Sequence, residues 1–132
     1  MLSKLPPDEK LFIETKRLVL EPILVSHARE MIGLLSDHDL YEFVPQDPPI
    51  LGKLEKTYEF WSKRSSPSGE ELWLNWVARA KETGEPIGHF QAGVKEGTES
   101  NLGYTVGKKF QRQGFAREAL EAILHFLKNE FE

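Results

Sequence analysis

The sequence predicts an α+β fold in which a mainly antiparallel sheet is combined with amphipathic helices. Leu72-Trp73-Leu74-Asn75-Trp76-Val77-Ala78 is a run of β-forming residues, followed by the turn Glu82-Thr83-Gly84-Glu85 and a second strand over 87–94. Gly97 marks a further turn into a third strand, Asn101-Leu102-Gly103-Tyr104-Thr105-Val106. Neighbouring strands joined by such short turns form an antiparallel meander. Elsewhere apolar residues recur at helical spacing, most clearly Ala116, Ala119, Leu120, Ile123, Phe126 and Leu127.

Taken in order, residues 1–10 are polar and contain Pro6-Pro7, which predicts a flexible tail and leaves 11–132 as one domain. Glu14 to Glu21 reads as a strand, with Leu18 and Leu20 on one face, Arg17 and Val19 on the other, and Pro22 limiting its far end. Ser26 is the natural N-cap of a helix carrying Ala28, Met31, Ile32, Leu34 and Leu35. Tyr41 to Gly52, with Pro45, Pro48 and Pro49, predicts an ordered loop. Lys53 to Arg64 returns to helical spacing through Leu54, Thr57, Tyr58 and Trp61, and Ser65 to Gly69 breaks the chain before the meander. The last helix spans about Gly114 to Asn129.

Bulk properties exclude several functions. A formal net charge of −4 argues against broad nucleic-acid binding, although Lys108, Lys109, Arg112 and Arg117 cluster locally. No apolar run approaches the ~20 residues that span a bilayer, and the N-terminus has no signal-peptide core. A cytoplasmic location away from membranes is the expectation. Cysteine is absent, which removes disulfides, thiolate zinc sites and a cysteine nucleophile. His27, His38, His89 and His125 show no paired-ligand spacing, so no metal is expected.

The segment Gln111-Arg112-Gln113-Gly114-Phe115-Ala116 joins the third meander strand to the last helix. A turn there points unpaired backbone N–H groups out of the first helical turn. With the positive end of the helix dipole, those donors form a site for phosphate. Gly114 has no side chain to keep a ligand from the main chain, and Arg112 and Arg117 flank the turn. This pattern points to a nucleotide-type cofactor held by its pyrophosphate. The plain alternative is a helix start whose glycine serves packing. No Gly-Lys-Ser/Thr phosphate loop occurs to support a different nucleotide fold.

From about residue 13 to 131, the element order and this turn resemble the GNAT superfamily of acetyl-CoA-dependent N-acyltransferases. The likeness is greatest to its branch of ribosomal-protein-alanine acetyltransferase-like enzymes. The superfamily signature Gln/Arg-x-x-Gly-x-Gly/Ala is met by Gln111 to Ala116. Glu14-Thr15-Lys16-Arg17-Leu18-Val19-Leu20 resembles the branch's first strand, Lys81-Glu82-Thr83-Gly84-Glu85-Pro86-Ile87-Gly88 its central hairpin, and Leu102-Gly103-Tyr104 its fourth strand. The resemblance implies helices on both faces of the sheet. It also implies that Tyr104, Thr105 and Val106 pair with the pantetheine arm of acetyl-CoA as an added strand would. Main-chain N–H groups of Gln111, Arg112, Gln113, Gly114, Phe115 and Ala116 would hold the pyrophosphate. The acceptor amine, on a protein N-terminus or a small molecule, would enter from the opposite side of the sheet. Transfer would be direct from thioester to nitrogen, which agrees with the absence of cysteine.

Two departures from the family accompany the resemblance. Relatives continue past this helix into a further parallel strand, another helix and closing strands. The chain is therefore expected to be a short form or a fragment lacking the C-terminal third, or to have it supplied by a partner. Relatives also carry a glutamate near the position of Asn101 or Ser100, whereas here the nearest carboxylate is Glu99. A shift by one residue reverses the side of the sheet a side chain takes, which weakens Glu99 as the catalytic candidate. The competing class is a non-catalytic remnant that binds CoA or another protein. An exposed edge at Asn101–Val106 predicts a homodimer under either reading. His89 and Gln91 share a strand face that could meet substrate, and Trp73 and Trp76 lie on opposite faces of theirs. Glu70 and Glu71 could attract a cationic amine, although a solvated loop is the plainer account.

Overall fold

Alternation along a strand puts Leu18 and Leu20 on one face, and both are fully buried. The sheet built around them is seen in a computed structural model that describes residues 8–41, 47–95 and 101–131. In chain order the elements are α1 (Asp8–Leu11), β1 (Ile13–Glu14), β2 (Leu18–Pro22), α2 (His27–Leu35), α3 (Leu51–Trp61), β3 (Glu71–Ala80), β4 (Pro86–Lys95), β5 (Asn101–Val106) and α4 (Phe115–Phe131). The five strands lie in the order β1-β2-β3-β4-β5, each antiparallel to its neighbour.

Register sorts the side chains onto two faces. Leu72, Leu74 and Trp76 sit opposite Val94, Ala92 and Phe90, and this face packs against Ala119, Ile123 and Leu127 of α4. Val77, opposite His89, belongs to the other face, where Ala28, Met31, Leu35, Leu54 and Tyr58 of α2 and α3 cover it. The α+β fold with helices on both faces is as the sequence predicts. Trp76 is buried in the α4 layer, and its indole N–H donates to the Leu11 carbonyl at 2.7 Å. A buried indole requires such an acceptor, and here it fastens α1 to the core.

Several boundaries differ from expectation. The single strand over Glu14–Glu21 is two strands separated by a tight turn. Thr15 N–H donates to the Leu18 carbonyl at 2.8 Å, and Leu18 N–H donates to Thr15 Oγ1 at 2.9 Å. A threonine hydroxyl that offers the backbone a local partner competes with strand extension, so the chain reverses. Ser26 makes no capping hydrogen bond; Leu24 N–H donates instead to Nδ1 of His27, at 2.9 Å. Leu51 and Gly52, expected in a loop, begin α3. Asp8–Lys10, expected in the tail, lie in α1, while residues 1–7 and the turn at Gly97 fall outside the described residues. Among the described residues no helix is long and apolar enough to cross a membrane.

Candidate functional site

After β5 the chain passes through a short 3-10 turn, Lys108–Phe110, before α4 begins at Phe115. Arg112 and Gly114 both have left-handed backbone, with φ of 64° and 81°. A side-chain-bearing residue in that region costs about 1–2 kcal/mol, so the strain at Arg112 is a local expense that the surrounding structure offsets. Left-handed residues in a turn are an ingredient of backbone hollows that bind anions. Among the described residues, the amides of Arg112, Gln113, Gly114, Phe115, Ala116 and Arg117 donate to no protein acceptor. Gln111 stands apart from them. Its N–H already donates to the Lys108 carbonyl at 3.3 Å, and its side-chain amide donates to the Val106 carbonyl at 2.9 Å.

All of these residues except Gln113 border a cleft of about 640 Å³. Tyr104, Thr105 and Val106 of β5 form one wall; Gln111, Arg112 and Gly114–Arg117 form another, with Leu40 and Tyr41 across from them. The volume lies within the usual range for small-molecule sites. Tyr104 is half exposed and stacks on Phe90 with ring centres 5.6 Å apart. Gln113 does not line the cleft. Its side chain turns back to donate to the Lys109 carbonyl, and its own carbonyl accepts from Arg17. Lys109 points to Glu85, at 3.2 Å, and Arg117 to Glu121, at 2.8 Å.

The residue that sequence reasoning missed is Arg17. Its guanidinium lies 4.2 Å over the Phe115 ring and donates through Nη1 to the Gln113 carbonyl at 3.0 Å. The other terminal nitrogen sits 3.4 Å from where a Cβ on Gly114 would be. Arg17 therefore adds positive charge beside the turn. Glu118 holds it there: Oε1 accepts from Arg17 Nε at 2.6 Å, and Oε2 accepts from Arg17 N–H at 2.8 Å and from the Thr15 hydroxyl at 2.5 Å. Burial pushes the Glu118 carboxyl up, but these hydrogen bonds more than reverse it, leaving it below the ordinary carboxylate value. The pair spans 101 residues, so no local spacing announces it.

A second hollow, about 400 Å³, lies on the opposite face of the sheet. Glu71, Trp73 and Asn75 of β3, Gln91 of β4 and Trp61 of α3 line it. Trp73 thus faces this hollow while Trp76 is core, and of His89 and Gln91 only Gln91 reaches it. His89 is buried beneath α3, 3.0 Å from the Tyr58 hydroxyl through Nδ1, and edge-on to Trp61. Burial pushes its pKa down to about 4. An unfolded histidine with its ordinary value of 6.5 takes a proton that the folded one refuses, so stability should decline as pH falls from 6.5 to about 4. Denaturation curves across that window check this, and His89→Gln should flatten the slope. Glu70 is exposed, and Glu99 lies outside the described residues.

A profile of the acetyltransferase (GNAT) domain matches residues 17–132. This chain belongs to the GNAT family. Solved structures resembling this GNAT domain include a GNAT-family acetyltransferase from Bacillus anthracis (18% identity, TM-score 0.70, 90% of this chain and 67% of that one). Another, from Salmonella typhimurium, modifies the N-terminal serine of 50S ribosomal subunit protein L7/L12 (16%, TM-score 0.73, 89% and 68%). A third is a ribosomal L7/L12 α-N-protein acetyltransferase in complex with coenzyme A (17%, TM-score 0.69, 88% and 67%). At these identities the likeness establishes the shared fold. A search of curated proteins finds no significant match.

Proposed function

We propose that this GNAT domain is an acetyl-CoA-dependent N-acetyltransferase whose acceptor is a primary amine, either a protein N-terminus or a small amine. The observation that carries this reading is the set of free amides of Arg112 and Gly114–Arg117 bordering a cleft of cofactor size. Those donors suit a diphosphate, with Arg17 and the α4 dipole adding positive potential behind them. The walls contributed by Tyr104, Thr105 and Val106 suit an extended pantetheine arm, while Gln111 braces the Val106 carbonyl. When bound, acetyl-CoA supplies an activated acyl thioester. The chain's own task is to hold that group and an amine in register, which is the main source of acceleration available to it. The named ribosomal-protein substrates of two structural relatives support a protein N-terminus as acceptor.

A thiol-release assay with acetyl-CoA and a panel of amines tests the proposal. Amine-dependent release is the expected result. Tight acetyl-CoA binding with no release for any amine would favour the non-catalytic alternative. The outer edge of β5, paired with no described strand, is the surface we assign to homodimer contact. Sedimentation that gives only a 15.2 kDa species at every concentration would oppose that assignment.

A further inference from the structure

Gly107 joins β5 to the 3-10 turn ahead of the free amides, and its backbone does not call for glycine. With φ of −55° and ψ of 143° it has polyproline-type geometry, which side-chain-bearing residues adopt freely. What the position lacks is room. A Cβ there would fall on Leu34 Cδ1 and lie 2.5 Å from Leu34 Cγ. Leu34 belongs to α2, on the sheet face opposite α4. A helix of that face thus rests a side chain on the main chain entering the turn. Gly107 cannot yield easily, because its N–H donates to the Ile87 carbonyl and its carbonyl accepts from Phe110 N–H, both at 2.9 Å.

The far wall of the cofactor cleft is tied to the same helix. Leu40 and Tyr41 face β5 and the Gln111–Ala116 turn across the cleft. The Tyr41 hydroxyl donates back to the Leu35 carbonyl at 2.9 Å. Ser36 N–H donates to the Ile32 carbonyl at 2.9 Å, and Leu40 N–H to the Asp37 carbonyl at 3.1 Å. Leu34 and Leu40 also pack against one apolar cluster, that of α2 and α3. The far wall therefore moves with the end of α2, and Leu34 is where that end meets the near wall. In a close-packed contact, the bulk of one side chain fixes the separation of the elements it touches.

We infer that Leu34 is a positioning residue for the acyl donor, acting through Gly107 and the end of α2 to set the width of the cofactor cleft. Leu34 itself does not line the cleft. The inference rests on the cofactor reading of the turn, and it adds that a residue on the other face of the sheet governs how well the cofactor fits.

Size exchange in the full chain tests this. Gly107→Ala drives a methyl group into Leu34 and should weaken acetyl-CoA by about tenfold. Adding Leu34→Ala to that variant makes room for the methyl and should return affinity to within about threefold of wild type. Inorganic pyrophosphate is the internal control, since it needs the amides of the turn but not the far wall. Its affinity should change by less than about twofold across the set. Calorimetry measures both ligands at a temperature where every variant is folded. Wild-type acetyl-CoA affinity in Gly107→Ala, no recovery in the double variant, or an equal loss for pyrophosphate would each overturn the inference. If Gly107→Ala does not fold, Leu34→Ala and the volume-conserving Leu34→Met decide. The alanine should weaken acetyl-CoA by about threefold and the methionine should not, and equal affinities in the two would overturn the inference. A wild-type chain that binds neither ligand removes the cofactor reading and this inference with it. Binding of both ligands with no response to size exchange overturns this inference alone.

Discussion

Gly114→Trp should lower affinity for acetyl-CoA by at least about a hundredfold, or close to 3 kcal/mol. Two effects combine. The residue has φ of 81°, where any side chain is strained by about 1–2 kcal/mol. The indole would also crowd the Arg17 guanidinium, which lies only 3.4 Å from the position of its Cβ, and disturb the turn that the free amides belong to. Gly114→Ala separates these effects, since it keeps the strain and crowds Arg17 little, and should lose much less. Calorimetry with both variants, alongside circular dichroism to confirm folding, checks the expectation. Wild-type affinity in Gly114→Trp would mean that the cofactor binds somewhere other than this turn.

The second large effect is on stability. Glu118→Ala should cost about 2–4 kcal/mol, because one carboxylate accepts three hydrogen bonds from the β1–β2 turn. Two come from the backbone and side chain of Arg17 and one from the Thr15 hydroxyl. Arg17 is 40% exposed, so solvent screening discounts its ion pair, and most of the loss comes from the donors left behind. The sign of the pH dependence follows from the lowered carboxyl. Its stabilisation is complete above the ordinary value of 4.5 and is lost as pH falls through the lower folded value. That window lies at and below the lower end of the one assigned to His89, so His89→Gln and Glu118→Ala should remove different parts of the acid limb. Glu118→Ala should also weaken acetyl-CoA binding, since Arg17 would no longer be held against Phe115 and Gln113. Urea denaturation for stability and calorimetry for the ligand measure the two consequences. A loss below about 1 kcal/mol would show that the three bonds form in water nearly as well.

The parts legible in the sequence are those set by short-range pattern. The β3–β4 hairpin follows from β-forming residues around Thr83-Gly84, and α4 from apolar spacing over three turns and more. The Gln111–Ala116 turn was legible because a strand, a glycine and a helix start succeed one another within a few residues. Elements governed by longer-range contacts were misplaced. The strand over Glu14–Glu21 broke at Thr15 because Glu118, far along the chain, takes the donors the turn exposes. Ser26 takes the N-cap position as expected but makes no capping hydrogen bond, while the His27 ring, held by Glu21 at 3.0 Å across the end of β2, accepts from Leu24 N–H ahead of the helix.

The sequence by itself determined the α+β class, the antiparallel meander, the family resemblance and the place of the turn at Gly114. Each depends on residues near one another in the chain, where periodicity and backbone sterics act without help. Only the tertiary structure decided that Arg17 lies beside that turn and that Gln111 is a brace with its amide already used. Those facts depend on which distant groups meet after burial, when every donor and acceptor must find a partner that one-dimensional spacing does not name.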